Sequence, residues 1–123
     1  MKIETGIDLI ETERIRKALN RWGDKFLERV FTSRERDYVR NKKFYYENLA
    51  ARFAAKEAVF KALGNSKINW QDIEILNNGK GKPRVFLSKK AKGLIGKEKI
   101  QQIKVSLTHT KNYAIAQAVV VVK

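Results

Sequence analysis

The sequence predicts an α+β domain in which an antiparallel sheet packs against one long alanine-rich helix and several shorter helices. Three observations carry this prediction. Lys2 to Leu9 alternates with the period of a strand. Tyr45 to Leu63 has helical bulk at Leu49, Phe53 and Phe60 and a flat side of alanines. Beyond Gly64 the pattern returns to strand-like alternation broken by Gly- and Asn-rich turns.

The elements follow in order. In the first strand Ile3, Thr5, Ile7 and Leu9 point one way and Glu4, Gly6 and Asp8 the other. Thr12 is placed to cap the next helix, with Glu13 in its first turn. Ile15, Ala18, Leu19 and Trp22 then form an apolar stripe, Arg14, Lys17 and Arg21 a basic one, and Gly23 the stop. Phe26, Leu27, Val30 and Phe31 make another short helical face. Thr32-Ser33-Arg34-Glu35 reads as a capping box opening a helix to about Arg40, and 41–44 as a loop. The alanines Ala50, Ala51, Ala54, Ala55 and Ala58 of the long helix let another backbone approach closely, and Gly64 ends it. Ile73 and Ile75 belong to a strand, 77–83 to a turn, and Val85 and Leu87 to the returning strand. Ser88 caps a short helix to Leu94. Ile103, Val105 and Leu107 begin a strand, Thr110-Lys111-Asn112 forms a hairpin tip, and Ala114 to Val122 returns. Val119 to Val122 is apolar on both faces, the signature of a strand covered on both sides, where one cover can be another subunit.

Composition narrows the class. A chain of 123 residues is read as one domain spanning 1–123, and 43% apolar with 33% charged residues suits a folded soluble protein. Cysteine is absent and histidine occurs once, which leaves no disulfide framework and no ligand set for zinc. No apolar run approaches the roughly 20 residues of a membrane span, and Met1 leads directly into a strand pattern, so the expected location is cytoplasmic. With 27 Lys and Arg against 13 Asp and Glu, the net charge is +14. Such a field attracts polyanions: nucleic acid, anionic lipid, phosphorylated ligands or an acidic protein.

Several residues carry chemistry, each beside a blander meaning. Glu57 and Lys61 stand four apart and share a helix face. In isolation they are a solvent ion pair worth about 0.3–0.5 kcal/mol. On a helix whose other sides are alanine or apolar, the acid is placed to hold a metal and the base a phosphate oxygen. Arg52 and Lys56 lie on a neighbouring face. Asp8 is either a turn aspartate or a magnesium ligand, with Glu57 the obvious second carboxylate. His109 sits at a strand end between Ser106 and Thr110, whose hydroxyls suit phosphate or ribose. The Gly79–Pro83 loop lacks the Walker and dinucleotide spacings and reads by itself as a hairpin turn.

Taken together these motifs resemble a known family. Gly6-Ile7-Asp8 followed by Phe53-Ala54-Ala55-Lys56-Glu57-Ala58-Val59-Phe60-Lys61 resembles the two-part signature of phosphopantetheinyl transferases. The size, Gly81-Lys82-Pro83 and Ser106-Leu107-Thr108-His109-Thr110 resemble the small bacterial type, the holo-acyl-carrier-protein synthases, over nearly the whole chain.

The resemblance implies that family's fold, a trimer with active sites at subunit interfaces, and a reaction. That reaction moves 4′-phosphopantetheine from coenzyme A to a serine of apo acyl carrier protein, with Mg²⁺, and releases adenosine 3′,5′-bisphosphate in support of fatty acid biosynthesis. It implies Asp8 and Glu57 as metal ligands and Glu57 and Lys61 as catalytic residues, with Lys61 on a phosphate. By the same resemblance Glu57, or a water on the metal, would take the serine proton. Arg52 and His109 would meet the nucleotide and its 3′-phosphate, and Gly81-Lys82-Pro83 the adenine end. Gly64, Ser106 and Thr110 complete the coenzyme A contacts. Phe44-Tyr45-Tyr46 stands where a more basic run is expected, and Lys42 and Lys43 compensate. Arg14 falls on the carrier-contacting helix, and Lys17 and Arg21 extend its stripe toward an acidic acyl carrier protein. The competing reading is a basic nucleic-acid-binding module without catalysis. That module would interleave aromatic and basic residues on an exposed sheet, and Phe86 and Tyr113 are its candidates.

Overall fold

The computed structural model describes residues 1–96 and 99–123. Strand β1 (Lys2–Glu11) leads into helices α1 (Thr12–Trp22), α2 (Asp24–Val30) and α3 (Ser33–Val39). The long helix α4 (Tyr45–Leu63) is followed by a 3₁₀ turn (Trp70–Asp72) and the hairpin β2 (Ile73–Asn77) and β3 (Pro83–Leu87). Helix α5 (Lys89–Ile95) then precedes the hairpin β4 (Ile100–His109) and β5 (Tyr113–Val122). The architecture is α+β, as the patterns predict. The strands form two antiparallel sheets: one ordered β1-β5-β4, and the separate β2-β3 pair. Among the described residues no helix is long and apolar enough to cross a membrane.

The local signals hold with two corrections. Thr32 caps α3 in a complete capping box, accepting from Glu35 N–H at 3.2 Å while Thr32 N–H donates to Glu35 Oε1 at 2.8 Å. Ser88 caps α5 by accepting from Ala91 N–H, and Gly64 closes α4 in the left-handed region at φ 64°. Thr12, in contrast, is the first helical residue and not the cap. Glu11 occupies the cap position without a side-chain bond, and the Thr12 N–H donates instead to Asn112 O at 2.8 Å. Trp22 does not continue the apolar stripe of α1 into the core: it is 55% exposed.

Alternation in β1 is real, but its apolar side is the open one. Ile3, Ile7 and Leu9 are exposed, while Gly6 and Ile10 are buried and Asp8 is partly covered. Antiparallel partners share a face, so Gly6, Asp8 and Ile10 join Ala118, Ala116 and Ala114 on the inner side. Helix α4 crosses this inner side over β1 and β5. A Cβ on Gly6 would lie 2.0 Å from Ala58 O and 2.9 Å from Ala62 N. Strand and helix therefore touch backbone to backbone, which only glycine facing alanine permits.

Behind α4, away from the sheet, the core closes on a buried ion pair. Lys56 Nζ donates to Glu35 Oε1 at 2.6 Å and to Val30 O at 2.7 Å, and both side chains are 0% exposed. Glu35 Oε2 accepts from Ile75 N–H at 2.7 Å, so one carboxylate ties α3, α4 and β2 together. Lys56 thus belongs to the core and presents nothing to a phosphate.

Candidate active site

Close contact at Gly6 delivers Asp8, two residues along the same face, to the edge of α4. Lys61 Nζ donates to Asp8 Oδ1 at 3.2 Å and to Ile7 O at 2.9 Å. An ammonium carries three N–H groups, so one remains for a ligand. Glu57 lies one turn before Lys61 and is partly buried. Burial raises its pKa, the Asp8 carboxylate adds to the rise, and Lys61 opposes it. Lys61 links the two carboxylates: it bonds Asp8 and shares a helix face with Glu57 four residues before it. Among the described residues no cluster of three or more metal-ligating side chains exists. Two carboxylates suffice for magnesium, which commonly takes one or two from protein and fills its shell with water and phosphate oxygens. Beside the trio a cleft of about 340 Å³ runs along Lys61 and Gly64 to Lys2 and Lys99, walled by Ile95, Ile100 and Val122.

The other predicted residues are not gathered at this point on a single chain. Arg52 lies five residues before Glu57, which turns it about 140° away around the helix. It is 3% exposed, over the Tyr38 ring at 4.3 Å, and its guanidinium donates to Asn77 Oδ1. Burial lowers its basicity, opposed by Tyr38 and Glu35. Lys42 approaches the same Tyr38 ring at 4.6 Å, and Lys43 is exposed beside Phe44. Lys82 and Pro83 close the β2–β3 hairpin that Arg52 reaches through Asn77. A basic patch thus forms around Tyr38.

A third group sits on the β4–β5 hairpin. Ser106 pairs with Gln117 on the outer side of the sheet, opposite the side carrying Asp8. Exposed His109 ends β4, and Thr110 turns the chain, its Oγ1 accepting from Asn112 and Tyr113 N–H. On α1, Arg14, Lys17 and Arg21 are all exposed. Near the end of that helix lies an apolar cleft of about 550 Å³ containing Trp22, Phe26, Phe53 and Trp70, with Lys25 and Arg29 among its lining. Phe86 on β3 and Tyr113 on β5 are exposed but occupy different sheets, so they build no shared stacking platform.

Comparison with known proteins gives the class and then the family. The family model described as the 4′-phosphopantetheinyl transferase superfamily matches residues 4–118. The chain is 46% identical over 123 residues to the holo-[acyl-carrier-protein] synthase of Caldanaerobacter subterraneus subsp. tengcongensis, covering 98% of this chain and 96% of that one. The crystal structure of Helicobacter pylori holo-[acyl-carrier-protein] synthase in complex with coenzyme A superposes with a TM-score of 0.81 at 34% identity, over 97% of this chain and 99% of that one. The Bacillus anthracis holo-(acyl-carrier-protein) synthase in complex with CoA (3′,5′-ADP) gives 0.77 at 38% identity, over 95% and 94%. The chain belongs to the holo-[acyl-carrier-protein] synthase family of that superfamily.

Proposed function

We propose that the chain transfers 4′-phosphopantetheine from coenzyme A to the serine hydroxyl of an apo acyl carrier protein, releasing adenosine 3′,5′-bisphosphate. It is an enzyme, a holo-[acyl-carrier-protein] synthase in activity as in family. The observation that carries the mechanism is the convergence of Asp8, Glu57 and Lys61 at the contact between β1 and α4.

Asp8 and Glu57 would hold Mg²⁺, since carboxylate oxygens suit a hard cation. When bound, the ion screens the charge of the pyrophosphate and of the transition state. Lys61 is held by Asp8 and Ile7 O, so its free N–H is oriented without further ordering toward a phosphate oxygen. Glu57, or a water on the metal, takes the serine proton.

The separation of the remaining ligand residues supports assembly. Ser106 and Asp8 lie on opposite faces of one sheet, which supports a site shared between molecules. The exposed apolar face of Ile3, Ile7, Leu9 and Ile115 supplies the contact that unites them across neighbouring subunits, as a homotrimer. Gly64 and Lys61 then come from one subunit, and Ser106, His109 and Thr110 from the next. The stripe of Arg14, Lys17 and Arg21 steers the acidic carrier, and the apolar cleft at Trp22 and Phe26 gives it a surface to bury.

The test is direct. Purified protein with coenzyme A, Mg²⁺ and an apo carrier adds the mass of one phosphopantetheine to the carrier. No mass change, with a carrier that a different transferase can load, overturns the proposal. Glu57→Gln and Asp8→Asn each abolish Mg²⁺-dependent turnover while leaving the circular dichroism spectrum and melting profile in place. Tight, salt-sensitive nucleic-acid binding without transfer is the outcome that the competing reading requires.

A further inference from the structure

Arg52 combines two properties that a direct phosphate contact does not need. It is only 3% exposed, so little of it is open to a ligand arriving from solvent. It is also partly engaged: Nη2 donates to Asn77 Oδ1, Nη1 reaches Asn48 O at 3.5 Å, and the guanidinium lies over Tyr38 at 4.3 Å, while Nε is buried without a hydrogen-bond partner.

The connection continues beyond Asn77. Its amide is oriented by Arg52 at the oxygen, and its Nδ2 donates to Gly81 O at 2.7 Å. Asn78 holds the same loop from the other side. Its Oδ1 accepts from Lys80 N–H at 2.9 Å and Lys82 N–H at 3.0 Å, and its N–H donates to Lys82 O at 2.8 Å. Gly81 N–H returns to Asn78 O at 2.9 Å, and Gly81 takes φ 78°, a conformation only glycine adopts without strain. The turn between β2 and β3, residues 78–82 and exposed from 79 to 82, is thereby tied to the buried face of α4 through the Asn77 side-chain amide.

We infer that Arg52 is a positioning residue: through Asn77 it sets the conformation of the Gly81-Lys82-Pro83 loop and presents Lys82 and Pro83 to the nucleotide, rather than binding a phosphate itself. This rests on the transferase reading given above. The guanidinium is suited to the task because its rigid fork fixes the amide orientation, which a lysine ammonium does not. A fixed loop spares the ordering cost that a mobile one would incur on binding.

Two variants and two readouts test the inference. Asn77→Asp keeps an acceptor for Arg52 but removes the donor to Gly81 O. Arg52→Lys keeps the charge and loses the fork. Each raises KM for coenzyme A by about three- to tenfold, the scale of one lost hydrogen bond, with kcat within about twofold. The same factor applies to 3′-dephospho-coenzyme A, and the double variant is no worse than the poorer single one. Amide hydrogen exchange at Gly81 and Lys82 accelerates in both variants.

Opposite results overturn it. Unchanged exchange in Asn77→Asp removes the relay. Loss of the preference for coenzyme A over its 3′-dephospho form in Arg52→Lys, with Asn77→Asp like the parent, makes Arg52 a phosphate ligand. Wild-type protein that fails to transfer defeats the transferase reading, and the exchange measurement still decides the relay.

Discussion

Two lysines of α4 show how much of a residue's role is written outside its own helix. Lys61 meets Asp8 at the edge of the sheet, and Lys56 is entombed with Glu35. Both stand in one motif and neither differs in local pattern. The spacing of Glu57 and Lys61 made the candidate site legible from sequence, because an acid and a base one turn apart share a face. The burial of Lys56 was not legible, because its partner Glu35 reads locally as a capping-box residue and only the fold brings the two together. Burial pulls the pKa of Lys56 down and Glu35 pulls against it. Lys56→Met strands the Glu35 charge in the core and costs about 3–5 kcal/mol, read as a lower urea midpoint. Glu35→Ala costs at least as much, since it also orphans the N–H groups of Thr32 and Ile75.

Asp72 supplies a pH-dependent contribution. Although burial opposes it, hydrogen bonds from Asn69 N–H and the Ser88 hydroxyl, together with Lys90, hold its carboxyl below its ordinary 3.8. A depressed native pKa means that the unfolded chain binds the proton more readily. Its stabilisation is therefore complete above the unfolded value and is lost as pH falls through the native one. Asp72→Asn lowers stability by about 1 kcal/mol at neutral pH and flattens the decline between about pH 5 and pH 2, measured by urea unfolding across that range.

At the level of elements, the contact of β1 with α4 governs the site. The flat alanine side of α4 was visible in the sequence as a surface for close approach, and Gly6 is the residue that uses it. Which side of β1 faces inward was not visible, because its apolar residues point outward and invert the usual rule of apolar inside. Gly6→Ala drives a methyl into the Ala58 carbonyl, for which neither backbone can yield locally. The expected loss is about 3 kcal/mol or more, with Asp8 displaced and transfer falling in parallel. Gly79→Ala is the control: a Cβ there meets nothing within 4 Å, and stability stays within about 0.5 kcal/mol. Calorimetry on both, beside the transfer assay, separates the close contact from a general intolerance of glycine replacement. Trp22 marks another limit of periodicity. Its position in the apolar stripe is right, but α1 ends there and the core does not extend that far.

For the whole molecule, charge and exposed apolar surface have separate uses. A net charge of +14 was legible as affinity for a polyanion, but the choice between nucleic acid and an acidic protein needed the site. The outer sheet face was hinted at by the valines that end β5, since a strand apolar on both sides requires two covers and α4 provides one. Ile115→Lys on that face yields a monomer by sedimentation, with native circular dichroism and with transfer lost. A variant that sediments as the parent does, or a monomer that keeps full activity, removes the trimer from the mechanism.

The central position of β5 has a kinetic meaning as well. Lys2 pairs with Val122 and Glu11 with Tyr113, so among the described residues β1 has β5 as its one sheet partner. Every hydrogen bond of that ladder spans nearly the full chain, the most entropically demanding kind of closure. On a ribosome, helices α1 to α4 can gather, and β1 can meet α4 at Gly6, while β1 still lacks the strand it pairs with. Completion of the sheet that carries Asp8 therefore waits on residues 113–122, whatever the helices between have already done.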